Sequence, residues 1–383
     1  MVTRVKTLIH NVRKVDADGI VEDFWLEMLE GRIFATGTGQ PHQSNASKVV
    51  DGAGGWLSPG FIDLHCHGGA GLSFGPSAEE ISAGLVAHRQ AGTTRSVISL
   101  VSGPLESMTL SLDAVSGLAR ADARVLGSHI EGPFLSRHHH GAHDPRVLQD
   151  PHRDTVHQLL EAADGTLVQA TIAPELTGAF SALDTFVDNG VRVGLGHTDA
   201  TYALAKEAFA RGATLLTHAF NAMRPIHHRE PGPVLAAFED DQVTLELILD
   251  GHHLGAEIAR LAYREAPGRI ALVTDAMAAA GIGQGSYRLG SLFVTVEDNK
   301  AVVAGTDTLA GSTLTQDLAL RFALHDVGLS PVEAITALTL TPSRAVGQDD
   351  TMGLLRSGFV ADAVLMSTDW TVSHVWADGV PIR

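Results

Sequence analysis

The chain has one cysteine, Cys66, so no intramolecular disulfide can form and no oxidising compartment is required. Basic residues are scarce: 27 Lys and Arg against 44 Asp and Glu leave a net charge of −17, which argues against nucleic acid as a partner. An anionic substrate would need a local cluster of Arg and His working against that field. No apolar run reaches the length of a membrane span, and the first residues, MVTRVKTLIHNVRKV, have no apolar stretch of signal-peptide length. The expectation is a cytoplasmic protein without membrane contact. Internal repeats and low-complexity stretches are also lacking, apart from the local bias His138-His139-His140. What is abundant is glycine, 40 residues in 383, together with 44% hydrophobic residues and 20 histidines. That length accommodates one large domain and a small one. The glycines suit a fold with many tight strand-to-helix turns.

Short alternating strands are expected over residues 5–10, 20–29, 32–36 and 48–51, and again near the end over 363–366, 374–377 and 380–383. A β unit split between the two termini implies that the ends meet and the middle is an insertion. We therefore expect a small β-sandwich domain from residues 1–57 and 358–383, and a second domain over 58–357. Within the latter, eight apolar strand-like runs (61–67, 93–100, 123–131, 167–175, 191–197, 214–221, 243–250 and 270–275) alternate with helical patterns that include 78–91, 183–189, 203–211 and 256–265. Eight such units point to an α/β fold, a closed (β/α)8 TIM barrel, with a doubly wound open sheet as the competing architecture. An inserted hairpin is expected at 286–305, with strands 287–296 and 301–304, followed by helices at 312–326 and 331–339.

Residues 58–69, SPGFIDLHCHGG, read as a buried strand closed by glycines. Alternate strand residues share a face, so His65 and His67 project together, well placed for one metal ion, while Cys66 points away. A bare His-x-His also fits an ordinary polar strand end. Four further runs end in comparable chemistry: Glu131 in HIEGP, His197 in GLGHT, His218 in LTHA and Asp275 in LVTDA. In a barrel all these ends lie around one mouth. Four imidazoles and a carboxylate suit Zn2+ or Fe2+. Glu131 can bind one ion or bridge two. A divalent cation lowers the pKa of its water to near neutrality, and Asp275 would take the proton and pass it to a leaving group.

PGFIDLHCHG, HIEGPF, GHT, THAFNAM, DGHH and LVTDA, in this order, resemble the amidohydrolase superfamily, and within it the branch that deacetylates N-acetylglucosamine 6-phosphate. The resemblance spans essentially the whole chain, including the split β unit. It implies that Glu131, His197 and His218 are metal ligands and that Asp275 is the catalytic acid/base; the His-x-His of His65 and His67, placed as metal ligands by their shared strand face, belongs to the wider superfamily. Many superfamily members bridge two metals with a carboxylated lysine on strand four. The five lysines here (Lys6, Lys14, Lys48, Lys206 and Lys300) all lie elsewhere, leaving Glu131 as the bridging candidate. With both strand-one histidines present, capacity for two divalent metals is expected. The resemblance also implies that Ala142 and His143 meet the substrate, with His143 polarising the amide carbonyl. Asn221, Ala222 and Arg229 resemble sugar- and phosphate-binding positions. Asp250, Gly251, His252 and His253 do likewise, with His253 as a phosphate contact, and Leu309, Ala310 and Gly311 cover the sugar. A homodimer is implied, in which Arg229 reaches the neighbouring active site.

Two other readings compete. One is another amidohydrolase, of the N-acyl-amino-acid deacylase, dihydroorotase or deaminase type, which would not need Arg229 and His253 as a phosphate grip. The other is a non-catalytic metal-binding or scaffold protein, against which the retention of Asp275 beside every ligand argues.

Overall fold

The computed structural model describes residues 6–41 and 46–383; the expected strand at 5–10 therefore begins outside them, at Val5. Eight parallel strands form the central sheet: β1 (Phe61–Cys66), β2 (Thr93–Val101), β3 (Val125–Glu131), β4 (Leu167–Ile172), β5 (Arg192–Leu195), β6 (Ala213–Leu216), β7 (Thr244–Leu247) and β8 (Ile270–Leu272). Each pairs with its sequence neighbour, in order from β1 to β8. A parallel bridge between Cys66 and Ala276 then joins the two ends and closes the ring at its mouth. This is the expected (β/α)8 barrel, and the open doubly wound sheet is set aside. Its strands are buried on both faces, as all-parallel strands with helices outside them must be.

The strands are shorter than the apolar runs. Runs read through to His197, Asn221, Asp250 and Asp275 end instead at Leu195, Leu216, Leu247 and Leu272. His197, His218 and Asp275 have φ of 47°, 29° and 47°, left-handed backbone that no strand can contain. Those residues thus sit in the turns just beyond the strands.

The small β-sandwich domain from both termini is an eight-stranded mixed sheet. Ala363–Met366 pairs antiparallel with Trp56–Pro59, which pairs parallel with Thr7–Asp16. Residues 58–60 do more than punctuate: Trp56–Pro59 is the strand through which the chain passes from this sheet into β1. The sheet has its own apolar cluster, including Ile9, Leu26, Leu57, Phe359 and Trp376. Arg95 of β2 ties the barrel to it. The guanidinium is buried and bonds both oxygens of Asp362 at 2.7 and 2.9 Å, and Asp378 at 2.5 Å.

Two expectations after β8 are corrected. The inserted hairpin is a three-stranded sheet, Gly285–Leu289, Leu292–Glu297 and Lys300–Val303. The run read as one strand over 287–296 is broken at Gly290-Ser291, where Gly290 takes φ +56° in a tight turn. The helix expected at 312–326 starts at Gln316 and passes into a π-turn over Ala323–Val327. Residues before it are extended, with Ser312 Oγ donating to Thr274 O at 2.5 Å.

Candidate metal centre and active site

His65 and His67 do share a face at the end of β1, with their Nε2 atoms 3.0 Å apart. Cys66 turns away, its Sγ 3.5 Å from Gly68 O and 3.4 Å from His88 Nε2. Glu131, at the end of β3, stands among the imidazoles. Its Oε1 lies 2.9 Å from His218 Nε2 and 3.1 Å from His197 Nε2. Its Oε2 lies 3.1 Å from His67 Nε2 and 3.3 Å from His143 Nε2. Asp275 Oδ1 is 3.3 Å from His67 Nε2 and 3.6 Å from His65 Nε2. All of these side chains are buried. The residues expected as ligands and acid/base thus converge at one point in the barrel mouth.

Hydrogen bonds behind the rings set their protonation. His65 Nδ1 donates to Glu246 Oε2 at 3.1 Å, His67 Nδ1 to Ser99 O at 3.2 Å, and His197 Nδ1 to His139 O at 2.8 Å. Each bond places the proton on Nδ1 and leaves the Nε2 lone pair facing the centre, the arrangement of a metal-ligating histidine. When both rings are neutral, two such lone pairs 3.0 Å apart, on His65 and His67, repel unless a proton or a metal cation lies between them. His218 Nδ1 is buried without a hydrogen-bond partner among the described residues.

The electrostatics have the same sense. Burial works against a charge on His65, yet the Glu131 and Asp275 carboxylates hold its pKa well above the ordinary value. His67 and His218 are likewise raised despite burial, chiefly by hydrogen bonds to Asp275 and Glu131 respectively. Burial pulls His197 down to about 4. Burial pushes Asp275 up, but His65 and His67 outweigh it and hold the carboxyl at about 2. Two ionised carboxylates thus draw positive charge onto the rings around them. An N/O donor set of this kind fits a divalent cation such as Zn2+ or Fe2+.

His143 differs from the histidines expected as ligands. The Ser102 N–H donates to its Nδ1 at 3.4 Å, so its proton sits on Nε2. It meets Glu131 as a donor. Its nitrogen lies close enough to Glu131 and His197 to form a ligand group by distance, but a protonated nitrogen has no lone pair to give.

The centre opens into a cavity of about 360 Å3. Ala142, His143, Asn221 and Ala222 line it, as do His253, Leu309 and Gly311. Gly311 has φ +61°, and a Cβ there would stand 2.9 Å from Asp275 O, so the loop lies directly on the turn that carries Asp275. Asp250, Gly251, His252 and Ala310 do not line the cavity. Asp250 accepts from His253 Nδ1 at 2.7 Å and from the N–H groups of His252 and His253, so it orients His253 and leaves its Nε2 for a ligand. Gly251 packs against Phe322, His252 is exposed, and Ala310 lies in the apolar cluster under the three-stranded sheet. Arg229 is exposed in the loop after β6 and lines a separate hollow with Arg224 and His139.

Sequence reasoning missed a supporting layer. Glu246 on β7 is fully buried, accepting from His65 Nδ1 and, at 2.7 Å, from Gln169 Nε2. His129 bridges Ser99 Oγ at 2.9 Å and Thr171 Oγ1 at 2.8 Å. The available signal was a carboxylate inside the apolar run LELIL, where an unpaired charge would be costly.

Fold and site together define a metal-dependent hydrolase built on a (β/α)8 barrel. The chain belongs to the amidohydrolase family, whose sequence model matches residues 56–382. It is 36% identical over 349 residues to N-acetylglucosamine-6-phosphate deacetylase of Mus musculus, covering 87% of this chain and 85% of that one. It is 34% identical over 371 residues to N-acetylgalactosamine-6-phosphate deacetylase of Escherichia coli O157:H7, covering 96% and 97%. Among solved structures, a mutant N-acetyl-D-glucosamine-6-phosphate deacetylase from Mycobacterium smegmatis, in complex with N-acetyl-D-glucosamine-6-phosphate, superposes with TM-score 0.94 at 37% identity, over 99% of both chains.

Proposed function

We propose that this chain hydrolyses the amide of N-acetylglucosamine 6-phosphate, giving glucosamine 6-phosphate and acetate, within amino-sugar catabolism and cell-wall sugar recycling in the cytoplasm. The observation that carries the reading is the cavity itself, which an ionised Asp275, a donor-form His143 and His253 line together with the candidate metal ligands His67, Glu131, His197 and His218. The relatives' names support the choice of substrate.

His65, His67, Glu131, His197 and His218 would hold one or two divalent cations, Zn2+ or Fe2+, with Glu131 offering one oxygen to each side. When bound, such a cation supplies Lewis acidity and a water that deprotonates at neutral pH. Asp275 takes the proton from the attacking water at its carboxylate and later delivers it to the sugar nitrogen. A C–O bond forms, the amide C–N bond breaks, and the amine leaves neutral. His143 Nε2–H donates to the carbonyl oxygen as negative charge develops there. His253 meets the phosphate, joined by Arg229 from the neighbouring subunit of a homodimer, while Asn221, Ala222 and the 309–311 loop hold the sugar. We assign the barrel to residues 58–357 and the sandwich to residues 1–57 and 358–383, with the sheet strand Trp56–Pro59 running over that boundary.

A second reading, N-acetylgalactosamine 6-phosphate as the preferred substrate, is favoured by the name of the Escherichia coli relative. Acetate release from the two sugar phosphates and from unphosphorylated N-acetylglucosamine tests all of this. The expected order is N-acetylglucosamine 6-phosphate first and the unphosphorylated sugar last. Equal rates with and without the phosphate would contradict the proposal and favour another amidohydrolase activity.

A further inference from the structure

The cavity is walled differently on its two sides. In a closed ring of eight strands, the end of β2 lies across the mouth from the loop after β6, and the loop after β3 lies across from the loop after β7. On the β6–β7 side the wall is polar, with Asn221 and His253. On the opposite side the loop after β3 brings His138, His139 and His143, and beside them Val101 at the end of β2, Ala142 and Leu289 of the three-stranded insertion form an apolar patch of wall. Behind that apolar wall lies a second, larger groove of about 1050 Å3.

Val101 lines both spaces, so the two adjoin at that residue. The neighbouring segments divide along the same line. Ala142 and His143 face the cavity, and Asp144 faces the groove. Leu289 faces the cavity, and Gly290 faces the groove. The Gly290 turn rests on the valine, where a Cβ would stand 3.0 Å from Val101 Cγ2. Two hydrogen bonds pin the partition: Ser291 Oγ to Asp144 Oδ2 at 3.1 Å, and Ser73 Oγ to Arg288 O at 2.8 Å.

In a hexosamine 6-phosphate the amide is carried on C2 and the phosphate arm on C5, and those ring atoms face each other across the pyranose. With the phosphate at His253, the acyl group points to the apolar wall. Resting on the function proposed above, we infer that Val101, backed by Leu289, sets the length of acyl chain that this enzyme removes. An acetyl methyl ends at the partition, and a longer chain collides with it. Shortening Val101 joins cavity and groove and gives the longer chain a place to go.

The test compares kcat/KM for N-acetyl- and N-butyrylglucosamine 6-phosphate in the parent, Val101→Ala and Leu289→Ala. The parent is expected to favour the acetyl substrate strongly. Val101→Ala is expected to shift the ratio toward butyryl by about tenfold or more, the scale of one or two methylenes in an apolar pocket. Leu289→Ala is expected to shift it in the same direction, and it carries the test alone if Val101→Ala does not fold. A parent active on the acetyl substrate, with a ratio unchanged within about twofold in the folded variants, overturns the gate alone. A parent inactive on both phosphorylated substrates overturns the functional reading and the gate with it.

Discussion

At the scale of single residues, the proton on each imidazole assigns its task. His65, His67 and His197 give their Nδ1 protons to acceptors behind them and turn lone pairs toward the centre. His143 receives the Ser102 N–H and turns a donor toward it. On this account His143→Ala lowers kcat by about 10²–10³, the loss seen when one oxyanion donor is removed, and leaves metal stoichiometry unchanged. Metal analysis beside steady-state kinetics checks this; metal lost in proportion to activity would make His143 a ligand. Asp275→Asn keeps the shape of the carboxylate but cannot take a proton, so it is expected to bind metal and lose turnover by about 10²–10⁴. Near-parent turnover in that variant would remove Asp275 from the reaction. The left-handed backbone at His197, His218 and Asp275 costs on the order of 1–3 kcal/mol per residue. The fold holds these side chains in place against that strain.

At the scale of elements, the strands act through what lies behind the ligands as much as through the ligands. Glu246 on β7, two strands round the ring from β1, fixes His65 and is held in turn by Gln169 on β4. Glu246→Ala is expected to weaken metal affinity by about 10–100-fold, measured by competition with a chelator, with little change in KM for the fully loaded enzyme. Unaltered affinity would show that Glu246 serves packing alone. The sequence is most legible where chemistry sits at fixed spacing. Period-two alternation places His65 and His67 on one face, and eight apolar runs, five of them carrying His, Glu or Asp at their ends, favour a barrel over the open doubly wound sheet. It is less legible where long-range contact decides. Glu246 and Ser99 lie inside apolar runs, and only the closed ring brings them behind His65 and His67. Strand ends are overrun because positive φ at a histidine or aspartate leaves no mark in hydrophobic periodicity. The strand expected over 287–296 is two strands, because the Gly290 turn is too short to interrupt the apolar pattern on either side of it.

At the scale of the whole molecule, the barrel and the terminal sheet are joined through a buried charge. Arg95 leaves β2 to meet Asp362 and Asp378, whose strand and turn come from the end of the chain. Burial opposes its charge, yet the two carboxylates raise its pKa above the usual arginine value. Removing one partner of such a buried group leaves the other uncompensated, so Arg95→Ala is expected to cost about 3–5 kcal/mol in denaturant unfolding. A change within experimental error would mean that the sheet docks by its apolar cluster alone. Among the described residues, no helix is long and apolar enough to cross a membrane.

The central claim is that strand ends from around the barrel gather one cation-binding centre on which amide hydrolysis depends. Its most direct test is to strip the protein with a chelator, return Zn2+ or Fe2+ in measured steps, and follow bound metal together with acetate released from N-acetylglucosamine 6-phosphate. The account predicts a silent stripped protein whose activity returns in step with metal bound, saturating at one or two equivalents per chain. Undiminished acetate release from protein shown to be free of metal would contradict it.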